Sequence, residues 1–163
     1  MKNTWVKMVL VTIVIGIPAF FLGPVIWPPS PDIQPTQSQI PYLIALSLVE
    51  AFVFGFGVAF IIYGWPRMKK VAGKSALAAR GMYFSLAWLA VSWWPHDNLH
   101  IHNALDIDGL IAIEYAFHLT VILAGLVLAY SFFALFRAAE VRAGAREDCA
   151  AEEPGCEPST VHP

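Results

Sequence analysis

Charge is what this chain lacks most. Lys, Arg, Asp and Glu make up 13% of its 163 residues, about half the share of an ordinary soluble domain. Thiols are nearly as scarce. The two cysteines, Cys149 and Cys156, both lie in the final stretch REDCAAEEPGCEPSTVHP. Their spacing matches no strong zinc pattern, and no Cys-x-x-Cys occurs, which disfavours thiol–disulfide chemistry. With no thiolate in the body of the chain, a soft copper(I) or iron–sulfur site there has no ligands. The outer connections carry no basic patch, so nothing points to nucleic acid.

What is present is apolar and arranged in blocks. Hydrophobic residues make up 58% of the chain. They gather at about 5–27, 41–65, 76–94 and 109–136, each close to the ~20 residues a helix needs to cross roughly 30 Å of hydrocarbon. The expected fold is an all-α integral membrane protein with four transmembrane helices in an antiparallel bundle. Residues 1–140 form the membrane domain, and 141–163 form a disordered acidic cytoplasmic tail. A secretory signal peptide is the competing reading of the first block, but its end offers no small-x-small cleavage site. Pro18 and Pro24 are expected to kink or end that helix.

The distribution of charge fixes the expected orientation. All ten Lys and Arg fall before or in the first turn of the first block, between the second block and the first turns of the third, or after the fourth. The connections WPPSPDIQPTQSQIP and PHDNLHIHNALDID carry none. The positive-inside bias therefore puts both termini in the cytoplasm and these two connections outside. The expected location is the cytoplasmic membrane of a bacterial cell, with lipid as the first partner.

Helix contacts are signalled by small residues. Ser47, Ala51, Gly55 and Ala59 recur at every fourth position, as do Ala112, Ala116, Thr120 and Ala124. Such stripes let membrane helices approach closely. Either the second and fourth spans are neighbours or one stripe faces a partner subunit.

Three ionisable residues lie inside the spans: Glu50, Glu114 and His118. At 1.5 Å per residue, Glu50 and His118 both come ~14 Å below the outer end and Glu114 ~7 Å below it. Such groups are costly in lipid and usually face partners in the bundle interior. Gly57 and Gly125, each seven residues further in, are expected to give close helix contact beneath them.

Above this pocket runs Trp93–Asp108, WWPHDNLHIHNALDID. Read as extended chain, it places His100 and His102 on one side, with His96 and Asp97 at the end of the third span. Imidazole and carboxylate together suit zinc, copper or iron. The candidate metal ligands are therefore His96, His100, His102, Glu50, Glu114, His118 and Asp97. Asp106 and Asp108 read as caps of the last helix, Asn98 and Asn103 as turn formers, and Trp93 and Trp94 as interface anchors. Haem is a weaker candidate, because only His118 lies within a span.

The expected function is a small membrane protein holding a transition metal at the extracytoplasmic leaflet. It would serve as a metal-holding or accessory subunit of a membrane oxidoreductase, beside a larger membrane partner or in a homo-oligomer. Small size favours this over a complete metalloenzyme. Two other readings stay open: a purely structural subunit, and a proton- or ion-relay component. The relay is disfavoured by the absence of ionisable residues in the inner halves of the spans.

Overall fold

A computed structural model describes residues 2–31, 34–73, 75–104 and 106–152. All regular structure among them is helical: α1 (Lys2–Ile26), α2 (Ile40–Tyr63), α3 (Trp65–Ala72), α4 (Ala76–Val91), α5 (Trp93–Asn103) and α6 (Ile107–Glu152). Three helices are long and apolar enough to cross a membrane, over Asn3–Ile26, Ile40–Tyr63 and Ile107–Val141. The third expected span is shorter. α4 has 16 residues, or ~24 Å of rise, and Ser92 links it to α5. The apolar side chains are largely exposed, Val25, Tyr42 and Phe133 among them, as a lipid-facing surface would be.

The long helices lie in the order α1, α2, α4, α6. α1 packs along α2, α2 on α4, and α4 on α6, while α6 makes no extensive contact with α1 or α2. The two small-residue stripes are therefore not partners. The α2 stripe faces α1: a Cβ on Gly55 would lie 2.5 Å from the Thr12 carbonyl oxygen, and one on Gly16 would lie 3.2 Å from that of Ala51. Gly57 meets Ala90 and Val91 of α4, as close packing beneath Glu50 requires. Gly125 does not repeat this, since a Cβ there would meet nothing within 4 Å. On α6, Thr120 accepts from Trp88 Nε1 at 3.1 Å, while Ala112 and Ala116 stay exposed.

Local chemistry explains the boundaries. Pro18 and Pro24 lie within α1 without ending it. α3 carries Lys69 and Lys70 in its last turn, where cations suit the helix dipole. It meets the start of α1 through Arg67, whose guanidinium lies 4.0 Å above the Trp5 ring and donates to Met8 Sδ at 3.1 Å. Ser75 caps α4 by accepting from Ala78 N. α6 runs past residue 140 to Glu152. The continuation RAAEVRAGAREDCAAE is rich in Ala, Arg and Glu, all strong helix formers, so the expected tail begins as helix. Its remainder, 153–163, lies outside the described residues.

Candidate metal centre

The segment expected to be an extended loop is the helix α5. Pro95 falls in its first turn, where a missing N–H is tolerated. Asn98 and Asn103 lie inside it instead of forming turns. They donate to the carbonyls four residues back, Trp94 O at 2.7 Å and Leu99 O at 3.1 Å. The helix stops at Ala104, whose φ of 48° is in the left-handed region. Asp106 then caps α6 as expected, accepting from Gly109 N at 3.3 Å, and Asp108 occupies the first turn.

Helical geometry changes which histidines belong together. Residues four apart share a face, and residues two apart do not. His96 and His100 are thus neighbours, with ring centroids 4.5 Å apart. His102 turns away toward the α1–α2 connection, where its Nδ1 lies 2.8 Å from Pro28 O. The expected His100–His102 pair is replaced by His96–His100.

α6 brings the carboxylate to this pair. His100 Nε2 lies 2.6 Å from Glu114 Oε1, and His118 Nδ1 lies 2.5 Å from Glu114 Oε2. Glu114 therefore bridges two imidazoles with its two oxygens. One donor atom each from His96, His100 and Glu114 all fall within 4.8 Å of one another. A tetrahedral site with ~2.0–2.1 Å bonds needs donors roughly 3.4 Å apart, so modest side-chain movement would close the group on an ion. Two imidazoles and one carboxylate form the donor set of open zinc sites and of non-haem iron(II) sites. His118, with its ring centroid 5.6 Å from that of His96, stands beside this trio.

The environment of His96 is dry. The residue is 8% exposed. Its ring stacks on Phe117 at 3.6 Å and 13°, with the edge of Trp93 nearby. Its Nδ1 is buried without a hydrogen-bond partner among the described residues. Neutral imidazole is the form that binds metal, and a buried ring nitrogen without a partner is a group that a bound ion would satisfy.

The two remaining candidates stand one step back. Asp97 Oδ1 lies 3.9 Å from His96 Nε2, and the Asp97 carboxyl group is close enough to Glu50 to interact with it. Glu50 is buried on α2, beside Asp97 and not, as expected, against His118. Trp93 and Trp94 are packed against rings: Trp93 on Phe117 at 4.9 Å, and Trp94 on Phe54 at 4.7 Å and Trp27 at 5.2 Å. Sequence reasoning missed Phe117, the floor of the site. The available signal was the His-x-x-x-His spacing of His96 and His100, which is a helical pattern. No protein-family model, curated protein or solved structure matches this chain, so the centre has to be understood from its own geometry.

Proposed function

We propose that the protein is a small integral membrane protein that holds one transition-metal ion on His96, His100 and Glu114. In this reading it is a metal-holding or accessory subunit of a larger membrane oxidoreductase. α1, α2, α4 continued by α5, and α6 make four crossings. The basic ends of α1 and α3 are cytoplasmic, and the histidine end faces outward. The observation that carries the reading is the convergence of three donor atoms from two helices within 4.8 Å. Zinc, iron(II) or copper(II) suits these ligands. Imidazole and carboxylate must be deprotonated to bind an ion, so affinity falls in acid. When bound, the ion supplies Lewis-acid or redox chemistry, while this chain's residues orient it and shield one side with Phe117 and Trp93.

The test is elemental analysis of the detergent-purified protein after reconstitution with zinc, copper(II) or iron(II). The wild type is expected to retain a stoichiometric ion, and the triple variant His96→Ala, His100→Ala, Glu114→Ala to retain none. Equal metal content in the two sinks the proposal.

A purely structural role has one observation in its favour. Between Ile107 and Val141, α6 is 6% buried over its most apolar stretch, which leaves a long face for a partner or lipid. A larger protein that copurifies equally with the triple variant would support that role.

A further inference from the structure

We infer that the groove between α4 and α6 is a lipid site: it takes one acyl chain of an anionic phospholipid, and Arg80 takes the phosphate. The inference uses the membrane setting and is independent of the metal centre.

The groove has the shape for a chain. Its volume is about 470 Å³. Small side chains make the floor, Gly81 and Ser85 from α4 and Ala124 from α6, and Ser85 is buried. Phe84 and Leu123 stand at the rims and are exposed by 66% and 62%. From Arg80 to Trp88 the groove follows ~12 Å of helical rise. At the Trp88 end the polar side chains already have partners within the protein. Trp88 Nε1 donates to Thr120 Oγ1 at 3.1 Å, and Thr120 Oγ1 donates to Ala116 O at 2.7 Å.

The other end has an unmet charge. Arg80 is exposed and makes no ion pair or hydrogen bond among the described residues. α4 contains no Asp or Glu, and α6 has none between Glu114 and Glu140. Arginine at the edge of hydrocarbon lays its apolar stem along the protein and needs an anion for its head. The planar guanidinium matches a phosphate with two parallel N–H donors. Arg80 lies ~6 Å of rise from the start of α4, on the side of the basic helix α3. Basic pockets between membrane helices on the cytoplasmic side suit anionic headgroups. An apolar trough that opens to lipid and ends at an unpaired cation complements both parts of a phospholipid. A second copy covering the groove with α1, or with α6 between Glu114 and Glu140, would bring no carboxylate to Arg80.

The experiment uses the full chain, purified in detergent and delipidated. It is titrated with phosphatidylglycerol or with phosphatidylcholine of the same acyl chains, and bound lipid is counted by native mass spectrometry. The wild type should bind one phosphatidylglycerol in preference to phosphatidylcholine. Arg80→Gln should weaken phosphatidylglycerol binding ~5- to 10-fold and leave phosphatidylcholine unchanged. Ala124→Phe, which fills the floor, should weaken both. Arg137→Gln, a basic change outside the groove, should match the wild type. If Ala124→Phe fails to fold, Arg80→Gln against Arg137→Gln decides alone. Equal binding of the two lipids, a preference retained in Arg80→Gln, an equal loss in Arg137→Gln, or a folded Ala124→Phe that binds as the wild type overturns the inference. A wild-type dimer that excludes lipid and that Ala124→Phe dissociates also overturns it, since the occupant is then a second copy. None of these outcomes turns on metal content, so the lipid site and the metal centre fail separately.

Discussion

At the scale of single residues, the separation of His102 from His96 and His100 makes the sharpest prediction. His102→Ala removes a contact to Pro28 O, worth about 1 kcal/mol of stability, and should leave metal content unchanged. His100→Ala should abolish retention of the ion. Elemental analysis of the two variants side by side checks this, and loss of metal in His102→Ala contradicts the geometry. The sequence showed that imidazole and carboxylate gather in and beside one connection between apolar blocks, because polar groups are conspicuous in an apolar background. It did not show which of them meet, since that depends on whether residues 93–103 are extended or helical, and His102 changes sides with the answer. Phe117 was hidden for a different reason: an aromatic residue in an apolar span carries no signal of the ring it covers.

At the scale of helices, the contacts are decided by glycine. Gly55→Ala pushes a methyl to 2.5 Å from the Thr12 carbonyl oxygen and 2.9 Å from Gly16 N, backbone atoms that cannot swing aside. α1 must move, at a cost of about 1–3 kcal/mol typical of overpacking. Gly125→Ala meets nothing within 4 Å and should be neutral, or stabilising by up to about 1 kcal/mol through helix propensity. Unfolding of the two variants in the same detergent should separate them, and equal midpoints contradict the α1–α2 crossing. Both stripes of small residues were legible as contact signals, but their partners were not. Small residues permit close approach without specifying what approaches. Three of the four apolar blocks were legible as helices long enough to cross a membrane, because lipid imposes length and polarity on a crossing helix. The break at Ser92 was not, for the apolar run continues through Trp93 and Trp94 and conceals the point where α4 gives way to α5.

At the scale of the whole molecule, the two ends differ in chemistry, and the proposed orientation in the membrane rests on that difference. One end holds Arg67 over Trp5, with Lys69 and Lys70 closing α3. The other holds α5, fastened to the α1–α2 connection by Ser30 N donating to Ile101 O at 3.1 Å, and it carries the imidazoles and carboxylates. Each Lys or Arg near an anionic leaflet is stabilised by about 1 kcal/mol. The clustered basic residues therefore favour the cytoplasmic side by several kcal/mol over the reverse orientation. The opposite end has no comparable cation to oppose this, and neutral histidine crosses without a fixed charge. The consequence can be tested with Cys149 and Cys156 replaced by serine and a single new thiol introduced. Gln37→Cys, exposed in the α1–α2 connection, should react with a membrane-impermeant maleimide in intact cells. Lys70→Cys, exposed at the end of α3, should react only after permeabilisation. The reverse pattern would put the metal centre on the cytosolic flank. There the ion would be drawn from the cytoplasmic pool and the histidine end could not serve an extracytoplasmic partner, so the orientation carries the functional reading as much as the ligands do.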